Sequence, residues 1–191
     1  MNSNFRLILA SESPRRKQLM EEAGFKFISR RSGVDETYPE ELPVKDVAKY
    51  LAEKKALVLL DELEENDLLL AADTVVLLGD RFLGKPGNEG EAKEMLSELS
   101  GRKHLVITGC CLLSRRNKRV FDETTEVEFK QLSYGEIEHY VLKYRPFDKA
   151  GAYGIQEWIG LIGIKCIRGS YFNVVGLPIQ RVYDEIATFV P

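Results

Sequence analysis

Apolar positions recur along this chain at two spacings, and the switches between them mark out its elements. Residues 5–10 form a short apolar run, predicted as a buried strand, that enters Ser11-Glu12-Ser13-Pro14. Ser13 there can be an N-cap and Pro14 the first helical residue, with Leu19, Met20 and Ala23 inward and Gly24 as the stop. Residues 25–31 read as a second strand. A loop through Asp35, Glu36 and Pro39 leads to a helix over residues 44–60. After an acidic turn at 61–67, residues 68–78 are too uniformly apolar to alternate, which predicts a strand buried on both faces. Gly79-Asp80 signals a hairpin, with 81–84 returning antiparallel.

The second half repeats these devices. Asn88 followed by Glu91 resembles a capping box, ahead of a helix with Ala92, Met95, Leu96 and Leu99 on one face. Residues 105–113 and 120–130 read as strands around a polar turn at 115–119. Ser133 and Glu136 repeat the capping signature before Ile137, Tyr140, Val141 and Tyr144. A glycine-rich loop at 148–156 precedes a predicted hairpin around Arg168-Gly169, and Pro178 opens a last helix with Ile179, Val182, Tyr183 and Ile186. Helices interleaved with hairpins and single strands give an α/β class with a mixed sheet.

Composition narrows the function. With 27 Lys+Arg against 30 Asp+Glu, the formal charge of −3 argues against a nucleic-acid binder held by a basic face, though not against a small anion bound by local cations. At 44% hydrophobic and 30% charged, the chain has the makeup of a globular protein with a core. Its three cysteines, Cys110, Cys111 and Cys166, form no CxxC pair and read as core residues of a reduced protein. His104 and His139 lie too far apart to suggest a zinc site. No apolar run is long enough to span a bilayer and no secretory segment opens the chain, so the expected location is the cytoplasm, away from membranes.

Four clusters can carry chemistry. In Ser11-Glu12-Ser13-Pro14-Arg15-Arg16-Lys17, three cations occupy a first helical turn, where the helix dipole disfavours them. A bound anion would relieve that conflict; a solvated basic turn is the plain alternative. Lys55 falls near the centre of the apolar face made by Val44, Val47, Ala48, Leu51 and Val58, whereas Lys54 falls at its edge. A buried lysine needs a carboxylate or an anion, unless it snorkels out near the helix end. Asp73-Thr74 interrupts the apolar strand; Asp73 is either a structural carboxylate or a functional one. Extending the hairpin from Leu78 opposite Arg81 puts Thr74 opposite Lys85, one position from Asp73. In the loop DKAGAYGIQ, Gly151 and Gly154 allow close backbone approach and Gln156 offers both a donor and an acceptor.

Taken together, these motifs resemble the Maf family of nucleoside triphosphate pyrophosphatases, also called septum formation inhibitor proteins. The resemblance runs nearly end to end: LILASESPRR at 7–16, Glu36, LAEKKA at 51–56, AADTVV at 71–76, GKP at 84–86, LSG at 99–101, DKAGAYGIQ at 148–156 and GSYFNVVGLP at 169–178. It implies one domain over 1–191 with an elongated mixed central sheet, helices on its flanks, two lobes and a cleft, related to the inosine triphosphate pyrophosphatases. It implies hydrolysis of a nucleoside triphosphate to the monophosphate and pyrophosphate with Mg²⁺ or Mn²⁺, and suggests a homodimer.

By matching motifs, Asp73 is the general base, and Ser11, Arg15, Arg16, Lys55 and Lys85 hold phosphates. Glu36 and Asp73 serve the metal, while Arg15, Thr74 and Gln156 belong to positions tied to base choice. The DKAGAYGIQ subgroup implies dTTP and UTP as substrates, with modified pyrimidine nucleotides of the same class. Glu157 is a departure, standing where many members have glycine and adding negative charge beside the base pocket. Two competing readings are a nucleotide-binding regulator of septation working through protein contacts, and an RNA-binding module, which would need a basic face and spaced aromatics.

Overall fold

The computed structural model describes residues 5–189. The strands are β1 (Arg6–Leu9), β2 (Phe27–Ser29), β3 (Asp67–Leu78), β4 (Arg81–Leu83), β5 (Lys103–Leu113), β6 (Lys118–Phe129) and β7 (Ile164–Arg168). The helices are α1 (Pro14–Glu22), α2 (Val47–Leu57), α3 (Glu89–Leu99), α4 (Tyr134–Tyr144), α5 (Trp158–Gly163), α6 (Tyr171–Val175) and α7 (Ile179–Ala187). The strands pair in the order β2-β1-β3-β5-β6-β7, with β4 on β3. β1 runs parallel to β2 and β3, whereas β4 and β7 pair antiparallel, so the sheet is mixed as the pattern predicted. The chain divides into two compact units, one of residues 5–74, 108–123 and 176–189, the other of 75–107 and 124–175.

β3, whose residues 67–74 belong to the first unit, is buried along its length apart from half-buried Thr74, which accounts for its unbroken apolar run. Ala52 and Ala56 of α2 pack with Ile8, Leu69 and Cys111 of the strands. Gly109 of β5 lets that helix in: a Cβ there would stand 2.3 Å from the carbonyl carbon of Ala48, closer than atoms can sit. The contact fixes α2 against the sheet two turns before Lys55.

The second unit has its own core of Leu83, Leu96, Val127, Phe129, Tyr140 and Ile159. Ser133 and Glu136 form the full capping box of α4. At α3 only half the box forms. Asn88 accepts from the Glu91 N–H, but the Glu91 carboxylate accepts from Gly87 N–H and the Asn88 amide instead of the Asn88 backbone.

His104 is buried in this core, bonded through Nε2 to the Tyr153 hydroxyl at 2.7 Å and stacked on Phe129. Burial pulls its pKa from 6.5 down to about 4. A depressed histidine contributes stability that is complete above its unfolded pKa of 6.5 and is lost as pH falls towards 4. We expect urea unfolding to show a loss of roughly 2 kcal/mol between pH 7 and 5 that His104→Gln removes. A wild-type stability that stays flat over that interval would contradict this placement of the imidazole.

Several boundaries differ from the pattern-based expectation. No hairpin forms around Arg168-Gly169: β7 pairs with the distant β6, and the chain then turns into α6. Thr125 on β6 holds that turn, bonding both the N–H and the carbonyl of Ser170. The apolar stretch before β7 is helical, as α5. The helix expected over 44–60 is a 3-10 turn at Val44–Asp46 followed by α2, which stops where Leu57 and Val58 turn outward to solvent. The strand expected over 25–31 keeps only Phe27–Ser29 in the ladder, with Phe25 buried outside it. The β3–β4 hairpin has the predicted register, Leu78 opposite Arg81, but pairing ends at Val76 opposite Leu83. Thr74 and Lys85 are therefore not ladder partners. The Gly84 carbonyl accepts instead from the Gly151 N–H at 3.0 Å.

Candidate active site

Lys55 lies where helical phase put it. It is 9% exposed, and its ammonium meets two carboxylates, Glu36 Oε1 at 2.7 Å and Asp73 Oδ1 in a very close pair. Taking an ammonium out of water is costly unless charge and hydrogen bonds are both supplied, and here two acceptors supply them. Asp73 is delivered by the fixed backbone of β3, Lys55 by α2, and Glu36 by the loop before it. Lys54, one residue earlier, points elsewhere and donates to the carbonyl and hydroxyl of Thr37. One position on a helix separates a lysine in a polar cluster from one on the surface.

The neighbouring residue on β3 faces the other way, because successive strand side chains alternate. Thr74 Oγ1 lies 2.9 Å from Thr108 Oγ1 and accepts from Arg16 Nη2 at 3.1 Å. Arg16 also donates from Nε to the Gly176 carbonyl at 2.8 Å, and from Nη1 to the Ala72 carbonyl at 2.8 Å and to Ser11 Oγ at 3.5 Å. Four of the five guanidinium N–H groups are thus directed at the protein. Arg16 braces the start of α1 against β3. Desolvation pulls its pKa down, and the charge of Asp73 works against that shift.

Ser11 completes the turn into α1. Its Oγ accepts from Ser13 N–H at 3.2 Å, and its carbonyl accepts from Ser29 Oγ at 2.8 Å. Ser13 holds the N-cap position, but its side chain caps nothing, and no acidic residue lies in the first turn of α1. Arg15 is half-buried beside Arg16. In the first unit the structure therefore gathers Glu36, Lys55 and Asp73 in one cluster, and Ser11, Arg16 and Thr74 in another, joined through consecutive residues of β3. Gly176 and Thr108 belong to the second cluster and were not singled out from the sequence. Their role is an acceptor presented by tertiary contact, and the only local cue is the glycine before Leu177-Pro178.

Lys85 and Gln156 fall in the second unit, both exposed. The bond from Gly151 N–H to Gly84 brings their two segments together. Gln156 lines a cavity of about 310 Å³ with Ile155, Leu161, Cys166, Ile167 and Tyr171. Cys110 and Cys111 are buried strand residues whose thiols are pushed up to about 12 by desolvation, which suits core packing and not nucleophilic chemistry. Among the described residues no helix is long and apolar enough to cross a membrane. None of their His, Cys, Asp and Glu side chains form a group of three or more suited to a metal ion.

Residues 6–189 match the family described as Maf-like protein. The chain belongs to the Maf-like protein family. Among curated relatives, the dTTP/UTP pyrophosphatase of Phocaeicola vulgatus is 48% identical, with 95% of each chain covered. That of Bacteroides thetaiotaomicron is 46% identical over 95% of each chain. The one from Christiangramia forsetii is also 46% identical, covering 96% of this chain and 93% of its own. The Staphylococcus aureus Ham1 protein is a solved structure similar to this Maf-like chain at a TM-score of 0.48 and 17% identity, covering 82% of this chain and 90% of that one.

Proposed function

We propose that this chain hydrolyses dTTP and UTP, and pyrimidine nucleotides of the same edge chemistry, to the monophosphate and pyrophosphate. The observation that carries the reading is the buried Lys55 between Glu36 and Asp73, in a Maf-like chain whose curated relatives bear the name dTTP/UTP pyrophosphatase. Asp73, rigidly placed on β3, accepts a proton from the water that attacks the α-phosphorus, and the bond to the bridging oxygen breaks to release pyrophosphate. Lys55 orients the Asp73 carboxylate and offers its charge to the phosphate oxygens as negative charge shifts onto the leaving group. Arg15 and Lys85 bind the triphosphate. Arg16, with one N–H left to give, mainly keeps Ser11 and Thr74 in place. Gln156 pairs its amide with the base edge.

Glu36 and Asp73 supply oxygen donors, the kind that Mg²⁺ or Mn²⁺ takes, and both reach the same ammonium. These two carboxylates would hold the cation. When bound, the cation neutralises phosphate charge in the ground state and on the departing pyrophosphate.

The test is a nucleotide panel with separate detection of pyrophosphate and orthophosphate. The expected outcome is efficient release of pyrophosphate from dTTP and UTP, with CTP, ATP and GTP at least ~10-fold poorer in kcat/KM, or about 1.4 kcal/mol. Orthophosphate as the product would overturn the cleavage assignment. A preference for a methylated GTP would overturn the base assignment.

A further inference from the structure

Gln156 sits on a turn whose ends are both gripped from within the second unit. Glu157 N–H donates to the Gly154 carbonyl at 3.0 Å, which closes the turn around Ile155 and Gln156. At the start of the turn, Gly154 N–H donates to the hydroxyl of Tyr140 at 3.0 Å. That hydroxyl in turn donates to Glu157 Oε2 in a very close bond, so one oxygen on α4 ties both ends together. Glu157 Oε1 accepts from Lys149 Nζ at 3.1 Å, and the same ammonium reaches Asp148 Oδ1 at 2.7 Å. Gly154 makes this fit possible: a Cβ there would lie 2.9 Å from the Glu157 carboxyl carbon and 3.1 Å from Lys149 Cε. Tyr140 is fully buried, with its ring stacked on Tyr144 at 5.1 Å, so its hydroxyl has little freedom to follow a shifting loop.

The charge of Glu157 is therefore answered from two sides, by the Tyr140 hydroxyl and the Lys149 ammonium. From this arrangement we infer that Tyr140 and Glu157, backed by Lys149, are positioning residues for base selection: they fix the 154–157 turn, and with it the backbone from which Gln156 is presented to the cavity it lines. The inference rests on Gln156 reading the base edge, as proposed above. The physical reason is that discrimination between base edges depends on an amide held in one orientation. An amide free to tilt meets the wrong edge nearly as well as the right one. Neither Tyr140 nor Glu157 needs to touch the nucleotide for this.

Tyr140→Phe removes one oxygen and keeps the ring in its core site. Steady-state kinetics with UTP and CTP, alongside urea unfolding, tests the inference. The UTP:CTP ratio of kcat/KM is expected to fall at least ~5-fold, because UTP hydrolysis drops by more than CTP hydrolysis does. Glu157→Leu carries the same expectation and serves if Tyr140→Phe does not fold. Glu157→Gln retains an acceptor for the Tyr140 hydroxyl and is expected to keep most of the wild-type ratio. A role in stability alone predicts a lower unfolding midpoint with equal losses on both substrates, and that pattern overturns the inference. Wild-type enzyme without preference for UTP over CTP would instead defeat the reading of Gln156, which separates the two failures.

Discussion

Asp73→Asn is expected to lower kcat for dTTP or UTP by at least ~10²-fold while triphosphate binding persists, since an amide of the same shape cannot accept the proton of the attacking water. The structure sharpens what else should happen. Lys55 loses its closest partner but keeps Glu36 at 2.7 Å, so the ammonium is not stranded. Removing one partner of a buried pair outright costs about 3–5 kcal/mol. With Glu36 still in place and an amide oxygen still facing Lys55, the fall in unfolding free energy should be smaller than that. A general base therefore predicts a large kinetic loss with a modest loss of stability. A structural aspartate predicts the reverse, near-normal turnover per folded molecule with a lowered unfolding midpoint. Measuring kcat, nucleotide affinity and urea unfolding on one preparation tells them apart, and normal turnover would remove Asp73 from the mechanism.

The parts of the fold that were legible in the sequence share a cause: their determinants are local. Pro14 opens α1, Ser133 and Glu136 cap α4, and Gly79-Asp80 sets Leu78 opposite Arg81. Lys55 was legible because helical phase depends only on neighbours in the chain, and Asp73 because an ionisable group stands out in a buried strand. The illegible parts depend on partners far away in the chain. β7 has the apolar content of a hairpin arm, but its partner is β6, and Thr125, a strand residue, fixes the turn into α6. Arg16 looks like an anion ligand in its sequence context. Its acceptors come from Ala72, Thr74 and Gly176, and nothing near position 16 announces them. Tyr140 reads as one more apolar position of α4, because its hydroxyl matters only where the 154–157 turn meets it. Lys55 and Asp73 stood out as candidates because their burial is unusual for their charge; Thr108, Gly176 and Tyr140 did not, being ordinary residues in unusual contact.

Replacing Lys55 by Met preserves the stem that packs against α2's neighbours and removes the charge, and it is expected to lower kcat/KM at least ~10²-fold, the scale on which preorganised electrostatic donors act. Lys54→Met is the matched control. Its ammonium donates to Thr37, outside the Glu36–Lys55–Asp73 cluster, so its loss should change activity by no more than ~3-fold. The two substitutions are chemically identical and one residue apart, so general effects of lost charge or altered helix propensity cancel in the comparison. Without Lys55, the carboxylates of Glu36 and Asp73 no longer have the ammonium they share, and unfolding should become easier as well. That stability loss can be separated from the kinetic one by salt: raising ionic strength screens the repulsion of the two carboxylates and should recover stability in part. It cannot restore a cation beside the phosphate oxygens, so turnover should stay low. Recovery of turnover in step with stability would mean that Lys55 serves only to hold the site together. Equal losses in the Lys54 and Lys55 variants would break the link between helical position and function on which the assignment of Lys55 stands.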